Sequence, residues 1–304
     1  EGSGTYFVPY VREFAAHVKD IHRNLLTACA PHLDDPLLAG YLSTVTDLDI
    51  LIYQTGVMAS YRTDNRKKYP FRRVKDFCSL AAGAKRLQNK ISINHVELFG
   101  YLENRLNPDT AATSYENIYQ QILSAATVSD ADGISFFTYH AHVHVPLKKY
   151  NEVRRSQAAV ADGLKAFSLI TSTVSRQRNP LTVYFPYSDW IIERWSNYFL
   201  PALDAFRVLG TPVDVLPYAP PLDESVYPYY PFHMNNDVLA RLLKEPTVLI
   251  LPNVSGFQQT DSDLIKSFVE QGGVVVAFGP QIPMGRSYER RELFGVDEAG
   301  GAQP

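Results

Sequence analysis

The sequence runs to 304 residues, 45% hydrophobic and 20% charged, a composition that suits a soluble globular protein with room for two domains, each with its own core. Twenty-nine Lys and Arg against 32 Asp and Glu give a net charge of -3, so no basic field for nucleic acid is expected. No apolar run reaches the roughly 18 residues of a membrane span, and the opening EGSGTYF lacks a signal-peptide layout. The compartment is left open between the cytoplasm and secretion with a leader absent from this numbering.

In chain order, Tyr6 to Pro9 reads as an aromatic and apolar turn, and a helix follows from Val11 to His22, where Val11, Phe14, Ala15, Val18 and Ile21 recur at helical spacing. NLLTACA, at 24–30, predicts a first strand ending at Pro31 and His32, with a short helix over about 36–42 behind it. DILIYQ, at 49–54, predicts the second strand, with Thr55 and Gly56 at its tip. A charged loop at 61–69 leads to a helix over 72–87 whose inner face carries Val74, Phe77, Cys78, Ala81 and Leu87.

KISINHVELFG, at 90–100, predicts the third strand: Ile91, Ile93 and Val96 give it an apolar run, and where that run breaks it presents His95 and Glu97. Ser114 can cap a helix running to about Thr127. GISFFT, at 133–138, predicts the fourth strand, with Tyr139, His140, His142 and His144 near its end. Strand and helix alternating at this rhythm imply right-handed βαβ units and a parallel sheet. Four such strands behind a helix would be the C-terminal half of a TIM-type (β/α)8 barrel, with the first half lying outside this sequence.

A helix rich in Ala and Leu is expected from about 151 to 172, and RQRNP at 176–180 reads as a junction. Four further strands are expected at 181–185, 213–216, 247–251 and 274–278, with helices over about 190–209, 236–243 and 261–271 between them. Thr260 with Asp263 suits a helix start, and Gly272 with Gly273 a helix stop. This is the pattern of a small flavodoxin-like doubly wound α/β domain. The chain thus divides into a glycosidase-like half barrel at 1–175, a flavodoxin-like domain at 176–285 and a flexible tail at 286–304. The two cysteines, Cys29 and Cys78, suit small buried hydrophobes rather than a disulfide or a cysteine-based zinc site, and no cofactor is expected.

Two resemblances rest on these stretches. TVLILPNVSGFQQTDSDLIKSFVEQGGVVVAFGP, with TVYFPYSDWIIERW before it, resembles the trimerisation domain that follows the barrel in family 42 β-galactosidases, related in fold to class I glutamine amidotransferases. That resemblance implies a homo-oligomer formed through the C-terminal domain. Amidotransferase activity is not expected, because residues 79–304 hold no cysteine to serve as nucleophile. DILIYQTGV and INHVELF resemble the glycoside-hydrolase-like domain of unknown function numbered 4434, in which a strand ending in Gln-(Asp/Thr)-Gly precedes a strand ending in an aromatic-flanked Glu. The pieces here are Gln54, Thr55 and Gly56, then Glu97 and Phe99, with Thr55 where that family usually has Asp. In the wider retaining glycosidase clan the nucleophile is a Glu at the tip of the seventh strand, which is Glu97 when the strands are counted back from GISFFTYH.

Retaining hydrolysis traps an oxocarbenium-like centre with one carboxylate and protonates the leaving oxygen with another, held about 5 to 5.5 Å away. Glu97 would be the nucleophile. Its acid partner would come from the fourth strand of a full barrel, ending at or before residue 6, where only Glu1 is acidic. Glu13 is the next acidic residue and falls inside the first helix. His32, Tyr53, Gln54, His95, Tyr139, His140 and His142 are the candidates for binding sugar hydroxyls or steadying the carboxylate. The expected function is that of a glycoside hydrolase acting on a poly- or oligosaccharide. Two alternatives stand beside it: a catalytically inactive carbohydrate-binding or oligomerisation module, and a metal-dependent hydrolase using His140, His142 and His144, which would share one side of an extended strand. A missing N-terminal half barrel is a further candidate partner.

Overall fold

A computed structural model of the chain describes residues 3–30, 42, 45–54, 70–88, 90–98, 115–137, 150–174, 179–186, 195–218, 236–252 and 259–278. The protein is a mixed α/β chain with two parallel sheets. It divides into two compact units, Phe7–Gln177 on one side and Arg178–Pro304 together with Glu1–Tyr6 on the other.

The first unit contains α1 (Ser3–Ile21) from Phe7 onward, then β1 (Ala28–Cys29), β2 (Ile50–Gln54), α2 (Pro70–Gln88), β3 (Ile91–Glu97), α3 (Tyr115–Thr127), β4 (Gly133–Phe137) and α4 (Tyr150–Thr173). Its strands lie in the order β1-β2-β3-β4, each parallel to the next. Right-handed crossovers between successive neighbours carry the helices to one side of such a sheet. In agreement, α2 packs on α3, α3 on α4, and both α2 and α3 on β3.

Alternation along the strands sorts the side chains into two faces. Leu51, Tyr53, Ser92, Asn94 and Val96 are buried beneath the helices. Asn94 marks that side, since its Nδ2 donates to Ser129 Oγ at 2.7 Å and to Cys78 Sγ at 3.5 Å. Val96, Leu98, Ile118, Ile122 and Ala159 form a core cluster between β3, α3 and α4, flanked by Ile134, Phe136 and Phe167. Each aliphatic side chain buried there contributes about 1.5 to 3 kcal/mol. The other face carries Ile50, Ile52, Ile91, Ile93, His95, Gly133 and Ser135, which are partly or largely open.

The N-terminal ends of the strands are tied by a polar network. Asp49 Oδ2 accepts from Lys19 Nζ at 2.7 Å, from the Thr27 N–H at 2.8 Å and from Thr27 Oγ1 at 3.0 Å. Burial alone would raise the Asp49 carboxyl, but the hydrogen bonds from Lys19 and Thr27 and the Lys19 charge outweigh it and hold the group below its usual range. Buried Lys90 donates to the Val45 and Leu48 carbonyls. Loss of water pulls the Lys90 ammonium below its usual range, against the opposing charges of Asp49 and Asp47. Asp132 accepts from the Ser92 N–H and from Lys85 Nζ, joining α2, β3 and the turn before β4. This end of the sheet is therefore occupied by stabilising contacts.

The second unit contains β5 (Leu181–Pro186), α5 (Trp195–Val208), β6 (Asp214–Tyr218), α6 (Asn236–Leu242), β7 (Val248–Pro252), α7 (Gln259–Glu270) and β8 (Val274–Phe278). The order is β6-β5-β7-β8, all parallel, so the chain steps one way from β5 to β6 and the other way from β6 through β7 to β8. α7 ends where Gly272 takes φ +93°, a left-handed position that glycine adopts without a Cβ penalty. Gly273 then lies against the Phe268 ring, which a Cβ would meet at 2.3 Å.

Two elements differ from the sequence expectation. The first strand spans Ala28–Cys29 and not 24–30, because the Leu25 N–H closes a turn onto the His22 carbonyl and Thr27 is engaged by Asp49 and Asp47. The first helix begins at Ser3 and not Val11, taking in the expected turn at Tyr6 to Pro9. Pro9 forfeits a single helical hydrogen bond there. The expected short helix at 36–42, the charged loop at 61–69, the start of the helix expected at about 190–209 and the tail at 286–304 all include residues outside those described.

Candidate functional site

The C-terminal end of the first sheet is built by register. β2 ends at Gln54 and β3 at Glu97. Gln54 pairs with His95, His95 with Ser135, and Glu97 with Phe137. Gln54, His95, Glu97, Ser135 and Phe137 therefore hold register positions on one face, the face opposite the helices. For Gln54, Glu97 and Phe137 the structure describes the backbone position.

His95 is the best-defined polar group of this face. Its Nδ1 lies 2.6 Å from Ser135 Oγ, across the β3–β4 pair. Partial burial removes water from the ring and lowers the His95 pKa below its ordinary value, which favours the neutral imidazole. In the neutral ring one nitrogen donates and the other accepts, and the tautomer sets which of the two Nδ1 does toward Ser135.

Tyr53 belongs to the other face. It pairs with Asn94 beneath the helix layer and is 0% exposed. Its hydroxyl has no hydrogen-bond partner among the described residues, and burial pushes its pKa far above the ordinary phenol value. The structure thus brings Gln54, His95 and Glu97 together at one end of one face and sets Tyr53 apart from them.

His32, Tyr139, His140, His142 and His144 lie outside the described residues, as does Glu1. Glu13 lies within α1 and is exposed. Among the described residues, no three His, Cys, Asp or Glu side chains converge as a metal site would require. Also among them, no helix is long and apolar enough to cross a membrane. Cys29 and Cys78 are not joined in a disulfide; Cys78 is buried, and burial raises the Cys29 thiol.

Ser135 escaped the reading of the sequence. The signal was present: in GISFF, residues 133, 135 and 137 share a face, and 135 is the polar one. No protein-family model matches the chain, and no curated protein or solved structure matches it either.

Proposed function

We propose that the protein is a glycoside hydrolase of the retaining type, with Glu97 as the nucleophile and Gln54 and His95 beside it as ligands for sugar hydroxyls. The observation that carries this reading is the position of Glu97: the last residue of a parallel strand, two residues beyond a half-buried histidine on the same face. In parallel α/β frameworks the reacting groups sit at the C-terminal strand ends. The consecutive order β1-β2-β3-β4, with the helices in one layer, supports the half-barrel reading of the first unit. The order β6-β5-β7-β8 supports a flavodoxin-like second unit, and the exposed Val274, Val276 and Phe278 on its edge strand support a role in assembly.

The direct test is Glu97→Gln, assayed for turnover on a panel of chromogenic aryl glycosides and for oligosaccharide binding by calorimetry. Loss of turnover by about 1,000-fold or more with binding kept is the expected result for a nucleophile. Wild-type protein that binds oligosaccharide and turns over no glycoside would point to the inactive binding module instead.

A further inference from the structure

Ser79, Thr127, Ser129 and Thr171 each donate their hydroxyl proton to the backbone carbonyl four residues back. A carbonyl accepts such a hydrogen bond, but it takes no proton at neutral pH. Ser135 is placed differently. Its Oγ lies 2.6 Å from His95 Nδ1, and an imidazole nitrogen is a base that can take the proton outright.

Strand register builds this contact. Ser135 and His95 are paired residues of the β3–β4 ladder, so their side chains stand side by side on one face of neighbouring strands, about 4.8 Å apart along the hydrogen-bonding direction. Positions on strands are held more closely than positions on loops. His95 lies two residues before Glu97, the last of β3, and Ser135 two before Phe137, the last of β4, which sets the pair roughly 7 Å from the C-terminal end of the sheet. Both side chains are partly exposed. The neutral ring that partial burial favours is the form with a lone pair to receive the proton.

We propose that Ser135 is a nucleophile with His95 Nδ1 as its base, and that the pair cleaves carboxylic esters. Oγ attacks the ester carbonyl carbon as its proton passes to Nδ1. The tetrahedral adduct then expels the alcohol, which takes that proton from the imidazolium, and an acyl group remains on Oγ. Water attacks the acyl carbon and gives a proton to Nδ1. The bond to Oγ breaks, Ser135 recovers the proton, and the carboxylic acid departs, so that one ester and one water have become one alcohol and one acid. Esters suit a two-residue device, because an alkoxide leaves a tetrahedral centre more readily than an amine anion does. Only one nitrogen of a neutral imidazole accepts, so the reaction needs the tautomer with its proton on Nε2. This activity goes beyond the glycosidase reading and gives Glu97 no step.

The test treats the 304-residue chain with an alkyl fluorophosphonate, which phosphonylates activated serines, and maps the adduct by peptide mass spectrometry. Hydrolysis of p-nitrophenyl acetate is followed in parallel. The expected result is a single adduct, on Ser135, with ester turnover lost in Ser135→Ala and both labelling and turnover slowed about 100-fold or more in His95→Gln. Ring-nitrogen NMR shifts of the wild type should place the proton on Nε2. The wild-type adduct map and tautomer need no variant, so they decide the matter even where a substitution disturbs folding. An unlabelled Ser135, a wild type without ester turnover, a labelling rate that a folded His95→Gln variant keeps, or a proton on Nδ1 each overturns the proposal. Aryl glycoside turnover beside an unlabelled Ser135 keeps the glycosidase and sinks the esterase. A labelled Ser135 with ester turnover, in a protein that cleaves no glycoside, does the reverse.

Discussion

His95 Nδ1 and Ser135 Oγ stand 2.6 Å apart across the β3–β4 pair, on the face that also carries the Gln54 and Glu97 register positions. Burial lowers the His95 pKa, so the folded protein binds this proton more weakly than the unfolded chain, whose histidine has the ordinary value near 6.5. The stability this group contributes is complete above about pH 6.5 and declines as pH falls through the folded value. Resonances of the His95 ring followed by NMR should titrate below 6.5. A midpoint above 6.5 would reverse the sign and remove burial as the dominant influence.

Tyr53 yields a prediction opposite to the one its sequence position invites. A fully buried hydroxyl without a partner among the described residues costs desolvation energy. Tyr53→Phe should therefore raise stability by about 1 kcal/mol in urea denaturation, and should leave oligosaccharide binding unchanged. A loss of binding would mean that the helix-facing placement is not the one that operates in the complex.

Why the sequence misplaced Tyr53 is a matter of pattern. ILIYQ is apolar on both faces, so alternation shows that two faces exist and not which one meets the helices. Only the pairing of Tyr53 with Asn94, and of Asn94 with Cys78 and Ser129, resolves it. Strands such as VLILP and VVVAF were legible because short β-branched runs ended by Pro or Gly read clearly. β1 was overread because Leu25 and Leu26 look like strand interior in sequence, yet both are exposed beside a turn. For the site, the strand-tip positions of Gln54, His95 and Glu97 were readable from where the apolar runs stop. The partnership of His95 with Ser135 was not, because it depends on the register between two strands 40 residues apart.

Asp49 gathers Lys19 and Thr27 at the opposite end of the sheet, and its depressed carboxyl links that network to pH. With a folded pKa below the ordinary 3.8, the group contributes stability that is present above about pH 4 and is lost as pH falls through the folded value. Asp49→Asn should cost about 1 to 2 kcal/mol near neutral pH, a modest figure because solvent screens a side chain that is 27% exposed. The difference from wild type should shrink in denaturation curves taken near pH 3. A constant difference at both pH values would show that shape, and not charge, sets the cost.

Gly163 on α4 meets Ile122 on α3 so closely that a Cβ there would lie 2.5 Å from Ile122 Cδ1. Alanine gains about 1 kcal/mol over glycine in a helix interior, but here it must displace that methyl. Gly163→Ala in the wild-type background should therefore give little or no gain, and Gly163→Val should cost about 2 to 3 kcal/mol. Ile122→Val removes the one atom that stands closest. It should cost about 1 kcal/mol alone and make Gly163→Ala less unfavourable when the two are combined, with Ile122 Cβ and Cγ2, which valine keeps, still 3.2 Å from the added methyl. The thermal or urea stabilities of the two single variants and the double variant measure the coupling, expected at about 1 kcal/mol. Strict additivity would mean that the two helices separate slightly to admit the methyl, and that the glycine is not what sets their approach.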